Sequence, residues 1–168
     1  MTTTEADLTA SAWHEAGHVT GYLAHGLSVR YATLRPRTKG VVARTAVRRM
    51  VADVKIRAVI AHAGPLAQGM HAWQTRGSTE GFPERDYIAH AYVTGANEDL
   101  IMARDAPRSS APDGTVRWEW FARNLLVEHW LVVTVIAETL LARMTVNGAE
   151  MRALAVGAGM TGLRDDGF

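Results

Sequence analysis

The chain has 168 residues, of which 48% are hydrophobic and none is cysteine. This length and hydrophobic content predict one compact domain with a sizeable core, and the lack of cysteine excludes disulfide frameworks and thiolate metal sites. The formal net charge of +1 gives no overall reason to expect a nucleic-acid partner. A metal site in this sequence must therefore use His, Asp and Glu side chains.

The first predicted element is a helix over about residues 5–25. Thr4 with Asp7 supplies a helix start signal, and His25-Gly26 fits a last helical turn followed by a C′ glycine. Apolar and small side chains surround this helix, which indicates that most of it is buried. The N-terminal segment has neither the basic nor the apolar region of a secretory signal, so we expect a cytoplasmic protein.

This helix carries the sequence HEAGH at residues 14–18, which is of the HExxH type. Positions i and i+4 share a helix face, so His14 and His18 can bind one ion while Glu15 projects beside its open coordination position. A catalytic zinc site has three protein ligands and one open position, and a carboxylate beside it can take a proton from water. The alternative interpretation is two hydrogen-bonded histidines in a buried helix.

Two apolar runs follow the helix, at residues 27–34 and 41–47, with turn-forming residues 35–40 between them. They predict a β-hairpin or two strands of a small sheet. In zinc peptidases, an exposed edge strand near the metal can pair with an extended peptide through backbone hydrogen bonds. One of these strands can take that role, or both can form an ordinary sheet packed on the helix.

The segment between Arg30 and Arg57 holds nine of the eighteen basic residues and one acid, Asp53. We interpret it as a solvated surface that serves folding and solubility. The alternative is a docking surface for an acidic partner or nucleic acid.

The middle of the chain is predicted to be helical from about residue 49 to 71, with a kink or break at Gly64-Pro65. Residues 74–83 are predicted to form a loop, after which Pro83 opens the next helix.

The last third of the chain is strongly apolar. A loop at residues 106–115 precedes two predicted helices within 116–144, which break near residues 128–130. Acidic residues within the most apolar run indicate a buried helix rather than a membrane span. A turn at Asn147-Gly148 precedes a short helix, and the glycine-rich tail at about 157–168 is predicted to be flexible. We therefore expect a single domain over residues 1–168.

The residues alone leave the third metal ligand open. His25 would lie about 10 Å along the helix axis from the histidine pair, which is too far to share an ion. Glu98 is similar to the glutamate that completes thermolysin-like sites. His62 and His71 can orient a metal ligand by a hydrogen bond without binding the metal themselves. Asp86 lies in the first turn of a predicted helix, where a carboxylate is favoured even without a metal.

A family resemblance favours Asp86. The HEAGH sequence, the strand pair, the sequence AGPLA at residues 63–67 and an aspartate that opens a helix resemble the peptidase domain of FtsH-type membrane AAA proteases and small stand-alone domains of that kind. The resemblance implies a mostly helical α+β, zincin-like fold with a small sheet or hairpin. It also implies that His14, His18 and Asp86 bind Zn²⁺ and that Glu15 is the general base. Gln68 departs from the family pattern, which has a glutamate at this position.

The resemblance implies a zinc metalloendopeptidase that hydrolyses peptide bonds in flexible or unfolded polypeptides. A chain of this length has no room for an ATPase module, so we expect cleavage to be ATP-independent, with a peptide as partner and neither membrane nor nucleic acid. The alternative is a non-catalytic zinc-binding module of the same fold that serves regulation or interaction. Binding to a separate partner protein or to further copies of the chain stays open.

Overall fold

A computed structural model describes residues 4–35, 43–49, 51–95, 99, 101, 103–107 and 117–163. The helices and strands that can be followed from end to end in these residues are, in chain order, α1 (Glu5–Ala24), β1 (Val29–Thr33), β2 (Arg44–Val47), α2 (Val54–Glu80), α3 (Glu84–Gly95), α4 (Arg117–Glu128), α5 (Trp130–Arg143), β3 (Thr145–Asn147) and α6 (Gly148–Gly157), and residues 99, 101 and 103 are also helical. The predicted mostly helical α+β class is confirmed.

Helix α1 lies at the centre of the core. Thr4 and Asp7 form a capping box at its start, and residues 12–23 are all buried. At its C-terminal end, the His25 ring donates a hydrogen bond from Nδ1 to the Gly21 carbonyl oxygen at 2.8 Å. The helix thus ends within one residue of its predicted limit, and the histidine that follows it caps the helix.

Helix α2 is continuous, so of the kink or break predicted at Gly64-Pro65 the break is wrong. Asp53 caps its start, Pro65 lies inside it, and Gly81 ends it in the left-handed conformation with φ of 74°. Helix α1 approaches it so closely that a Cβ on Gly17 would lie 2.3 Å from the carbonyl oxygen of Ala63. This close packing buries the middle of α2, and the burial outweighs the backbone hydrogen bond that proline cannot donate.

The predicted loop at residues 74–83 is also corrected, because α2 runs on to Glu80 and only residues 81–83 connect it to α3. The Tyr87 hydroxyl donates a hydrogen bond to Glu80 Oε2 at 2.5 Å, which joins the end of α2 to the start of α3. Pro83 immediately precedes α3, close to its predicted place at the first turn.

The sheet is antiparallel, with strand order β2-β1-β3. Ala32 in the middle strand pairs with Thr45 on one side and with Val146 on the other. Ala32 and Val146 are almost fully buried, so this row of the sheet faces the helices. Strand β3 was not predicted. Within the described residues, β2 is the edge strand on the side opposite β3.

The C-terminal helices agree with the sequence prediction. Helices α4 and α5 break at His129, and Asn147 caps α6. In the part of the chain that the structure describes, no single helix has the length and apolar character to cross a membrane, and α4 and α5 meet that test only as a pair bent by 80°. Met160 lies in the core, and residues 164–168 of the predicted tail are outside the described residues.

The basic segment is described in part. Arg57 is half-buried, and its guanidinium lies 3.9 Å from an oxygen of the exposed Asp105 carboxylate. Arg37 and Lys39 lie outside the described residues, as does most of the predicted loop at 106–115.

Candidate metal centre

Three buried side chains meet beside the middle of α1. Nε2 of His14 lies 3.0 Å from Nε2 of His18 and 2.9 Å from Oδ2 of Asp99. Oδ1 of Asp99 lies 3.2 Å from Nε2 of His18, so one carboxylate faces both rings. One ligand atom from each side chain lies within 4.8 Å of the others, and the group could hold a metal ion.

Helix α2 orients both imidazole rings. Nδ1 of His14 lies 3.1 Å from Oε1 of Gln68, and Nδ1 of His18 lies 2.8 Å from the carbonyl oxygen of Ile60. A ring that donates from Nδ1 to such an oxygen presents Nε2 as the basic nitrogen, as in most histidine metal sites. Both Nε2 atoms consequently face the same point.

Gly64 leaves the space in front of these nitrogens open. A Cβ on this residue would lie 2.4 Å from Nε2 of His18 and 2.8 Å from Nε2 of His14. The backbone of α2 therefore forms one wall of the space that a metal ion would occupy. The donor atoms around this space are the Nε2 atoms of His14 and His18 and a carboxylate oxygen of Asp99. This donor set is suited to zinc and to other divalent transition metals.

The three side chains are strongly coupled by charge. Burial alone would lower the pKa of His18, but the Asp99 carboxylate beside it, with a smaller contribution from Glu15, raises it to about 9. Burial would raise the pKa of Asp99, but the two histidines hold it well below its usual range. In the metal-free protein, the positive charge of protonated His18 therefore attracts the Asp99 carboxylate. A divalent cation bound at this site would do the same.

Glu15 follows His14 in the helix and is also buried, with 6% of its surface exposed, and its charge contributes to the raised pKa of His18. Its Oε2 accepts a hydrogen bond from the Thr45 hydroxyl on strand β2 at 2.6 Å. Burial, followed by the charges of Asp99 and Glu15, raises the pKa of Tyr22. The charges of Asp99 and Glu15 thus both act on Tyr22. The hydrogen bond from Thr45 fixes the Glu15 carboxylate against strand β2.

The structure does not bring Asp86, the predicted third ligand, to the histidine pair, and the carboxylate that lies there instead is that of Asp99. Asp86 lies in the first turn of α3, its side chain is 53% exposed, and it pairs with Arg85 at 3.7 Å. A helix start favours a carboxylate without any metal. Glu98, another candidate, lies outside the described residues, and Asp99 is its neighbour in the sequence.

The remaining histidine candidates have other partners. His25 caps α1. His62 Nδ1 hydrogen-bonds to the Tyr92 hydroxyl at 2.7 Å, and burial lowers the pKa of this histidine to about 4. His71 stacks on Trp13, with 3.8 Å between ring centroids.

No family model matches the sequence, and no curated protein matches it. The resemblance to FtsH-type peptidase domains therefore stays a prediction, and the interpretation of the site depends on its own geometry.

Proposed function

We propose that this protein is a zinc metallopeptidase that hydrolyses peptide bonds in flexible or unfolded polypeptides. The observation that carries the proposal is the convergence of His14, His18 and Asp99, with the buried carboxylate of Glu15 close enough for its charge to act on His18. Binding a metal needs only the three ligands. A further buried carboxylate that is not one of them is what a hydrolytic site requires as its general base.

In this proposal, Nε2 of His14, Nε2 of His18 and a carboxylate oxygen of Asp99 would hold the zinc ion. When bound, zinc supplies Lewis-acid activation of water and of the scissile carbonyl. Glu15 takes the proton of the attacking water and then gives it to the leaving amine. Gln68 and the Ile60 carbonyl hold the two rings in the orientation that this arrangement needs.

Strand β2 is the best candidate for the substrate-binding edge. It is the sheet edge that reaches Glu15, through Thr45. An extended peptide that pairs with this edge would be held by backbone hydrogen bonds, which require an extended chain but no particular side chain. A flexible or unfolded polypeptide can adopt this extended conformation without being unfolded by an ATPase, so this mode of binding is consistent with ATP-independent cleavage.

The low exposure of the ligands favours a second candidate function, a non-catalytic zinc-binding module for regulation or interaction. His14, His18 and Asp99 expose 8%, 6% and 9% of their surfaces, which is little for groups that must admit a peptide. Glu15 argues against this candidate, because a purely structural zinc site has no use for a base.

Cleavage assays with matched metal states test the proposal. The protein loaded with zinc is incubated with unfolded casein and a broad peptide library, and new termini are identified by mass spectrometry. We expect cleavage that stops with a chelator, returns with zinc, and is missing in Asp99→Asn. Stable zinc binding without cleavage of any of these substrates would favour the non-catalytic module.

A further inference from the structure

Thr45 makes a close, long-range contact with the proposed general base. Its hydroxyl lies 2.6 Å from Oε2 of Glu15, at a sequence separation of 30 residues. This distance is typical of a hydroxyl that donates to an ionised carboxylate, which is among the stronger hydrogen bonds in proteins.

The register of the sheet fixes where this hydroxyl points. Thr45 pairs with Ala32, which pairs in turn with Val146, and these two partners are 0% and 1% exposed. Side chains directly opposite one another on neighbouring strands lie on the same face of a sheet, so all three face the helices. Thr45 is thus the polar member of an otherwise apolar row, at the edge strand and opposite Glu15.

We propose that Thr45 is a positioning residue for Glu15 in the reaction. This inference rests on the proposed peptidase function. The hydroxyl holds Oε2 and so fixes the rotation of the carboxylate, which leaves Oε1 as the oxygen that takes the proton of water. A general base must lie within hydrogen-bond reach of the proton that it takes, so a freely rotating carboxylate is a poorer base even when its charge is unchanged.

The alternative is that the Thr45 hydroxyl has only a structural role, in which it supplies a hydrogen bond to the buried Glu15 carboxylate. The structural and the positioning role predict different effects when the hydroxyl is removed. A structural hydrogen bond contributes to stability, and its removal leaves the turnover of the folded enzyme unchanged. A positioning hydrogen bond acts on kcat, because it affects the transition state more than the binding of substrate or metal.

The test compares Thr45→Val, which keeps the side-chain shape, with Thr45→Ser, which keeps the hydroxyl. Thr33→Val is the matched control, because Thr33 lies on the adjacent strand and its hydroxyl contacts Thr145 and Met144 instead. We expect Thr45→Val to lose about 10- to 100-fold in kcat, with KM and zinc content unchanged. Thr45→Ser should retain most of the activity, and Thr33→Val should match wild type in kcat.

A second readout needs neither zinc nor activity. In the metal-free protein, the ¹³C resonance of the Glu15 carboxylate should shift in Thr45→Val but not in Thr33→Val or Thr45→Ser. If wild type cleaves nothing, the proposed function fails, while this resonance still reports whether the contact exists.

An unchanged kcat in Thr45→Val in an active enzyme, with or without a rise in KM, would overturn the role of Thr45. If Thr45→Val does not fold, Thr45→Ala takes its place. Equal kcat values for Thr45→Ala and Thr45→Ser would then reject positioning.

Discussion

Asp99 Oδ2 lies 2.9 Å from Nε2 of His14, although 85 residues separate them in the chain. Helix α1 supplies both histidines, and a helical residue beyond α3 supplies the carboxylate. Helix α2 lies against them and contributes the oxygens that orient the rings and the glycine that leaves space for an ion. The candidate centre is therefore a product of tertiary packing between three parts of the chain.

The identity of the third ligand gives the first prediction. We expect wild type to bind about one zinc ion per chain and Asp99→Ala to lose it, because two histidines alone leave the ion short of a protein ligand. Asp86→Ala is the matched control, since this exposed carboxylate lies on α3 and pairs with Arg85. Metal analysis of the dialysed proteins measures both. Zinc retained in Asp99→Ala but lost in Asp86→Ala would reject the assignment.

The second prediction concerns Gly64. A methyl group there would meet Nε2 of both histidines, so we expect Gly64→Ala to weaken zinc binding and to destabilise the fold by about 1–3 kcal/mol. Gly157→Ala is the control, because a Cβ at Gly157 meets nothing within 4 Å. Titration calorimetry and thermal unfolding measure the two effects. Normal zinc affinity in Gly64→Ala would show that the ion does not occupy this space.

Gln68 gives the third prediction. Its amide oxygen accepts a hydrogen bond from His14, as a carboxylate would, but it carries no charge. Gln68→Met removes the acceptor and should weaken zinc binding by about 10- to 100-fold. Gln68→Glu keeps the acceptor, adds a negative charge and should bind zinc at least as tightly as wild type. Equal affinities in all three proteins would mean that this contact does not orient the ring.

The fourth prediction is the effect of pH on the metal-free protein. The pKa of His18 is raised from 6.5 to about 9, so its contribution to stability is complete below pH 6.5 and is lost as the pH rises toward 9. The pKa of His62 is lowered to about 4, so its contribution is present above pH 6.5 and is lost as the pH falls toward 4. Stability should therefore be greatest near pH 6.5.

Thermal unfolding in the presence of a chelator measures this dependence. We expect the Tm of wild type to fall by several degrees between pH 6.5 and 9, and Asp99→Asn to lose most of that change because its neutral amide no longer favours the charged ring. A wild-type Tm that stays constant over this range would contradict the proposed coupling between His18 and Asp99.

The sequence contains local signals for some of these features and not for others. The HEAGH spacing and the Thr4 cap act within one helix, so the histidine pair and α1 could be predicted. Asp99 could not be singled out from the sequence, because it carries no local signal of its own and only long-range packing brings its carboxylate to His14 on α1. Strand β3 has three residues and is defined by its pairing with β1, a long-range contact.

In helix α2, tertiary packing overrides a local sequence signal. Gly64-Pro65 is a local signal for a break, yet the same glycine allows the close approach of the histidine rings. Packing against α1 keeps the helix intact around Pro65.

The most direct test of the central claim compares wild type with Glu15→Gln, both loaded with zinc. Glu15 is outside the proposed ligand set, so the variant should keep the metal and the fold while it loses the base. General-base catalysis contributes about 10²- to 10⁴-fold, so we predict a loss of that size in the cleavage rate of unfolded casein. If both proteins bind zinc and cleave the casein at the same rate, or if neither cleaves it, the claim that Glu15 is the base of a zinc peptidase is contradicted.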